Sequence, residues 1–154
     1  MSAAILTEPR RLDAGGDFVL PVPPADAFPM FDPVREAEWA EGWRIEAVCP
    51  RPFRLEADAV FEVPGPDGVV EVWTVLACDP AACRVEYLAV AGRDLVRRVT
   101  VQCDPVAGGS RVSVRYRVTA WTAVGAARAA GYNDTFIAEW RAPVLAALVR
   151  NGVA

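Results

Sequence analysis

Apolar and polar residues alternate with a period of two along most of the chain from residue 43 to residue 120, and this alternation is the strongest constraint on the fold. A period of two is typical of β-strands that pack on one face. Stretches rich in Pro, Gly and Asp separate the segments and favour turns, as at 64–68 and 104–109. Short links between consecutive strands predict an antiparallel meander. The six segments are WRIEAV, DAVFEV, VVEVWTVLAC, CRVEYLAV, DLVRRVTVQC and SRVSVRYRVTA.

The alternation is preceded by a further strand and two short helices. RLDAGGDFVL, residues 11–20, predicts the first strand. PVPPADAFPMF predicts a short helix entered through prolines, which suit a first turn. Asp32 and Pro33 predict the start of a second short helix, which Gly42 would end.

The C-terminal part predicts one long helix, because apolar residues recur every four positions. These residues are Tyr132, Phe136, Trp140, Val144 and Leu148. Pro143 should kink the helix, since proline cannot donate a backbone hydrogen bond. The whole order predicts one α+β domain over 1–154, with 1–10 as a loose N-terminal segment. The predicted architecture is a curved seven-stranded antiparallel sheet with two short helices and a long C-terminal helix enclosing a cavity.

This order resembles the helix-grip fold of START-like (SRPBCC) domains, Bet v 1-like proteins and polyketide cyclases. Locally, PADAFPMFDPVREAEWAEGW, AVFEV and EVWTVLACDPAACRVEYLAV resemble bacterial members of that superfamily of unassigned function. The resemblance covers nearly the whole chain, but its motifs are structural. It implies a cavity between helix and sheet that binds a lipid-like or aromatic molecule.

Composition excludes several classes of function. The formal net charge is -4 and no basic cluster occurs, so we expect no nucleic-acid partner. We expect no membrane span, because no apolar run is long enough. MSAAILTEPRRL lacks the pattern of a signal peptide, which favours a cytoplasmic protein.

The absence of histidine and lysine limits the chemistry further. It removes Ser-His-Asp and Cys-His catalysis, His-ligated metals and Schiff-base chemistry. The four cysteines show no CxxC spacing and are predicted to be buried reduced thiols. We therefore predict no metal, no cofactor and no recognisable catalytic residue.

Assumed strand registers predict which side chains face the cavity. Phe61 is paired with Val72, Cys78 with Cys83, Tyr87 with Arg97, and Val99 with Tyr116. The concave face then carries Ala59, Phe61, Val63, Val72, Leu76, Val85, Tyr87, Ala89, Leu95, Val99, Val101, Val112, Val114 and Val118, with Arg97 and Tyr116 as further polar residues.

Arg97 on this apolar face needs a partner, because an arginine keeps its charge when buried. One interpretation is that it binds a carboxylate, phenolate or carbonyl of a ligand, which Tyr87 and Tyr116 orient. The other is that a protein carboxylate such as Asp134 or Glu139 neutralises it, or that a bulge turns it to solvent.

The same registers place an apolar row on the convex face, formed by Val60, Trp73, Leu88 and Val96. Such a row favours an interface with a second copy or another partner. The alternatives are cover by the N-terminal segment and a register error of one residue.

Trp39 and Trp43 flank Gly42, which permits a sharp reversal. The rings are predicted to brace the short helices against the sheet, or Trp39 lines the pocket. Glu36 and Glu38 are predicted to form a solvated face.

Three functions remain open from the sequence. The first is binding of a small hydrophobic molecule, the second a cyclase or dehydratase-type enzyme, and the third a protein-interaction module that uses the Trp73 row. The predicted ligand-binding residues are Trp39, Phe61, Tyr87, Arg97, Tyr116, Phe136 and Trp140, the last two being core residues that would also line a cavity.

Overall fold

The computed structural model describes residues 4–65 and 67–154, and it confirms the predicted α+β helix-grip architecture. One antiparallel sheet has the strand order β1-β7-β6-β5-β4-β3-β2, so the meander from β2 to β7 is closed by β1 at the far edge. The strands are β1 (Ile5–Leu20), β2 (Glu46–Cys49), β3 (Val60–Pro64), β4 (Val70–Asp79), β5 (Arg84–Ala91), β6 (Leu95–Val106) and β7 (Gly109–Thr122).

Two of the predicted segments, the N-terminal segment and the turn after β3, include residues that the structure does not describe. Of the segment 1–10, residues 5–10 belong to β1, and Ala3 and the residues before it lie outside the description. Pro66 of the predicted turn at 64–68 also lies outside it.

Two short helices follow β1, as predicted, and close one end of the sheet. They are α1 (Pro24–Ala27), which a 3₁₀ helix over Phe28–Phe31 extends, and α2 (Pro33–Glu36). Asp32 caps α2, because its carboxylate accepts a hydrogen bond of 2.8 Å from the backbone N–H of Val34.

The C-terminal helical region is divided rather than continuous. It consists of α3 (Ala123–Ala129), a 3₁₀ turn over Ala138–Trp140, and α4 (Arg141–Arg150). The prediction that Tyr132 and Phe136 lie on one long helix is wrong. Asn133 prevents it, because its side-chain oxygen accepts from the backbone N–H of Phe136 at 3.1 Å and so competes with helical bonding.

Pro143 does not kink the helix, because it is the third residue of α4 and lies in the first turn. The concave face of the sheet and the helices share one hydrophobic core. Val144, Ala147 and Leu148 of α4 and Met30 and Phe31 of the 3₁₀ helix are buried within it.

The register between β3 and β4 differs from the predicted one by one residue. Phe61 pairs with Trp73 and not with Val72. A shift of one residue exchanges the two faces of a strand. Trp73 and Val75 therefore lie on the concave face, while Val72 and Leu76 are exposed.

Two other predicted pairs were also wrong. Tyr87 pairs with Val99 rather than with Arg97, which is a shift of two and leaves the faces unchanged. Cys78 pairs with Val85 rather than with Cys83, because a bulge interrupts β4 between Val75 and Ala77. The predicted pairing of Val99 with Tyr116 is confirmed.

The same shift shows that the predicted convex row of Val60, Trp73, Leu88 and Val96 is wrong. Trp73 is only 7% exposed and belongs to the core. The register error of one residue, one of the alternatives to an interface, explains the predicted row. The homodimer that rested on Trp73 loses its basis.

Gly42 adopts a left-handed conformation with φ of 75°, and no atom lies within 4 Å of the position of an added Cβ. We expect Gly42→Ala to destabilise the fold by about 1–2 kcal/mol through the conformation alone. Urea unfolding would measure this loss. Gly42→Asn is the matched control and should lose less, because asparagine tolerates the left-handed region. Equal losses for the two variants would contradict the conformational explanation.

Candidate functional site

A cavity of about 120 Å³ lies between the concave face of the sheet and the segments that cover it. Four tryptophans and two tyrosines dominate its wall, and one carboxyl group is present. The lining residues are Glu36, Trp39, Ala40, Trp43, Trp73, Tyr87, Val99, Val101, Tyr116 and Trp140.

A short segment at the end of α2 and just beyond it supplies four of these residues, Glu36, Trp39, Ala40 and Trp43. The backbone N–H groups of Trp39 and Ala40 both donate to the carbonyl of Glu36, at 3.1 and 2.8 Å. α2 itself ends at Glu36, so the prediction that Gly42 ends this helix is wrong, and turns rather than helix span residues 37–42.

Most polar atoms of the aromatic wall already have partners inside the protein. This explains the fixed positions of the rings, because a buried N–H or O–H is expensive to leave unpaired. The indole N–H of Trp39 donates to the carbonyl of Met30 at 2.7 Å, that of Trp43 to the carbonyl of Pro33 at 2.8 Å, and the hydroxyl of Tyr87 to the carbonyl of Phe31 at 2.9 Å.

Glu36 is the acidic residue among those that line the cavity. No hydrogen bond or ion pair joins its carboxyl to another residue in the described part of the chain. Burial raises the pKa of Glu36 well above its ordinary value, and the nearby carboxyl of Asp32 raises it further. The predicted solvated face holds only in part, because Glu36 is half-buried at the cavity, whereas Glu38 is exposed.

A second carboxyl, that of Glu71 on β4, is buried beside the cavity but is fully paired. It forms ion pairs with Arg97 and with Arg128, the second at 2.8 Å. The indole N–H of Trp73 donates to the same carboxylate at 3.2 Å. Arg97 also donates to the hydroxyl of Tyr132 and lies 5.2 Å from the ring centre of Trp73. We call these five residues the Glu71 cluster.

The Glu71 cluster supports two walls of the cavity. Trp73 is a member of the cluster and lines the cavity directly. Tyr132 stacks on Tyr116 with ring centres 5.0 Å apart, and Tyr116 lines the cavity on the other side. Burial raises the pKa of Tyr116, so its hydroxyl stays protonated.

The predicted ligand-binding residues divide into two groups. Trp39, Tyr87, Tyr116 and Trp140 line the cavity. Phe61 packs on Trp73 and Tyr87 behind the wall, and Phe136 packs on Tyr116 and Trp140. Arg97 is neutralised by a protein carboxylate, as the second interpretation held, but the partner is Glu71 and neither Asp134 nor Glu139.

Sequence reasoning missed Glu36 and Glu71 as site residues. The nearness of Glu36 to Trp39 and Trp43 in the sequence was visible, but helical spacing does not place it at the cavity, because α2 ends at Glu36. Glu71 and Trp73 alternate with exposed valines on β4, so the same one-residue register shift that buries Trp73 also buries Glu71. No local signal decides between the two registers.

The cysteines show no sign of a reactive or metal-binding site. All four are free: Cys103 is buried, Cys78 and Cys83 are half-buried, and Cys49 is exposed. Burial raises the pKa of Cys103 to about 12. Within residues 4–65 and 67–154, no group of three or more acidic or cysteine side chains could hold a metal ion. None of the helices described has the length and apolar character needed to cross a bilayer.

Comparison with known proteins identifies the fold. A norcoclaurine synthase mutant of Thalictrum flavum, solved with a transition-state analogue, is 10% identical with a TM-score of 0.67, covering 97% of this chain and 100% of that one. Ara h 8.0201 is 16% identical with a TM-score of 0.61, over 94% and 100% of the two chains. An uncharacterized protein of Rhizobium leguminosarum is 17% identical with a TM-score of 0.65, over 93% and 97%.

The chain therefore has the Bet v 1-like helix-grip fold that the sequence resemblance implied. No family model matches the sequence, and no curated protein matches it.

Removing the central carboxylate of the Glu71 cluster should destabilise the protein strongly. Glu71→Gln leaves Arg97 and Arg128 without a counter-charge, and breaking a buried ion pair costs about 3–5 kcal/mol. Chemical unfolding would measure this loss. Glu46→Gln is the control, because Glu46 pairs with Arg44 at the surface, and we expect a change within about 0.5 kcal/mol. Similar losses for both variants would contradict a structural role of the cluster.

The raised pKa of Glu36 should make stability fall as pH rises. The unfolded carboxyl loses its proton near 4.5, whereas the folded one holds it to a higher pH. The folded state then binds more protons, so the free energy of unfolding decreases from about pH 4.5 up to the folded pKa of Glu36. Glu36→Gln should remove this part of the pH dependence. Parallel stability curves for the two proteins between pH 4 and 9 would contradict it.

Proposed function

We propose that this protein binds a small, largely apolar molecule of about single-ring size in the aromatic cavity. The observation that carries the proposal is the cavity itself, with its wall of four tryptophans and two tyrosines around unfilled space. Ligand pockets are typically lined by hydrophobic and aromatic residues with few polar groups. A cavity of about 150 Å³ in another protein is sufficient to bind benzene.

The volume of the cavity favours a smaller ligand than some of the lipid-like and aromatic molecules that the sequence left open. Pockets for larger organic ligands span about 300–1,000 Å³. At about 120 Å³, the cavity corresponds to roughly four water molecules. A lipid chain or a fused-ring polyketide needs more space, so the favoured ligand is smaller than either.

The neighbours in structure are consistent with a small-molecule site. Norcoclaurine synthase, which shares the fold, is described in complex with a transition-state analogue. The cyclase or dehydratase-type activity stays a prediction. We assign no catalytic residue.

Filling the cavity should abolish binding without unfolding the protein. Ala40→Leu adds three carbon atoms to the wall, and we expect it to lose most of the affinity for phenol, indole and benzene. The matched control is Ala37→Leu, which adds the same atoms to an exposed position three residues earlier. It should bind like the unchanged protein.

The indole N–H resonances in NMR spectra give a site-specific measurement. Four of the five tryptophans line the cavity, whereas Trp121 on β7 is 38% exposed and does not. Binding in the cavity should shift the resonances of Trp39 and Trp140 and leave Trp121 unchanged. If none of the probes shifts the cavity tryptophans, or if Ala40→Leu binds as well as Ala37→Leu, the proposal is wrong.

A further inference from the structure

The cavity combines features that an apolar ligand alone does not explain. Its wall is aromatic on nearly every side, yet it includes the carboxyl of Glu36, which has no partner among the described residues. Glu36 is half-buried, and removing a carboxyl from water without giving it a partner costs free energy, the more so when it is charged. A ligand that completes this site must therefore offer the carboxyl group a hydrogen-bond donor or a positive charge.

The arrangement of the rings favours a positive charge. Trp43 meets Trp73 at an interplanar angle of 84°, and Tyr116 meets Trp140 at 80°, so within each pair one ring turns its edge to the other. We call the six rings that line the cavity the aromatic box. The centres within each pair are 5.6 and 6.4 Å apart. The face of an aromatic ring attracts a cation within about 6 Å of its centre, and tryptophan is the strongest of the three aromatic residues in this respect.

An anionic ligand does not fit this wall. The two nearby arginines, Arg97 and Arg128, are bound to Glu71, and neither lines the cavity. A ligand carboxylate would meet Glu36 and the negative faces of the rings. The N–H groups of Trp39 and Trp43 are also unavailable, because they donate to backbone carbonyls.

We infer that the natural ligand is a small organic cation, such as a quaternary ammonium or a protonated amine, held by Glu36 within the aromatic box. This inference rests on the proposed function and names the chemical class of its ligand. The aromatic faces stabilise the methyl or methylene groups around the charged nitrogen, and the carboxylate of Glu36 supplies the counter-charge.

Binding of such a cation should depend on pH. Two causes act on the pKa of Glu36, namely burial and Asp32, and both raise it, so the empty site favours the protonated carboxyl. The other titratable groups that interact with it are Tyr87 from β5 and Tyr116 from β7, whose own pKa values are raised. A bound cation favours the ionised carboxylate, so binding releases a proton and tightens as pH rises.

The test compares choline with its uncharged carbon analogue, 3,3-dimethylbutan-1-ol, which has the same shape. Both are titrated at pH 8 while the indole resonances of the cavity are followed. We expect choline to bind at least about tenfold more tightly than the analogue. Glu36→Gln should lose at least about tenfold in affinity for choline and little for the analogue.

Two controls isolate the role of the charge. Glu41→Gln removes an exposed carboxyl near the same turn and should bind both probes like the unchanged protein. As pH rises from about 4.5, the ordinary pKa of a glutamate, the affinity for choline should increase in the unchanged protein, whereas Glu36→Gln should show a flat profile.

The outcomes separate this inference from the proposed function. Three results would contradict a cationic ligand and leave the cavity as an apolar site. They are equal affinity for choline and its analogue, equal effects of Glu36→Gln on both, and binding of phenol or indole alone. If no probe of any kind shifts the cavity tryptophans, both the inference and the proposed function fail.

Discussion

The buried carboxylate of Glu71 is the interaction on which the rest of the inner structure depends. It stands on the concave face of β4, where a charge is stable only if it is neutralised, and Arg97 and Arg128 provide this. The same carboxylate orients Trp73, and Arg97 orients Tyr132, which stacks on Tyr116. One ion cluster thus connects β4, β6 and α3 and fixes aromatic rings on two sides of the cavity.

The rings explain why the cavity is small. In a helix-grip fold the C-terminal helix covers the concave face of a curved sheet, and any space left between them becomes a pocket. Here Trp39 and Trp140 approach to 5.3 Å between ring centres, and Trp43 and Trp73 approach to 5.6 Å. Contacts of this kind fill most of the interior, so what remains suits a compact ligand that is recognised by ring faces.

The sequence predicted the architecture because alternation and turn residues act locally. The strands, the two short helices, the cap at Asp32 and the pairing of Val99 with Tyr116 all follow from such local rules. The face of β4 that meets the core could not be predicted from local rules. In either register with β3, valine or tryptophan residues face the core, so both registers are compatible with the sequence. Glu36 was misjudged for a related reason: whether a charged residue on a short helix meets water or a cavity depends on what covers it.

The two inner carboxyls illustrate how one core can hold different kinds of charge. Glu71 has two arginines and an indole N–H, so it is fully satisfied and serves the structure. Glu36 has none of these, and burial raises its pKa, so the folded state loses stability as this carboxyl ionises. A ligand can supply the partner that the described residues do not. Because Glu36 lies in the same short segment as Trp39 and Trp43, the rings that brace the fold also help to position it at the cavity.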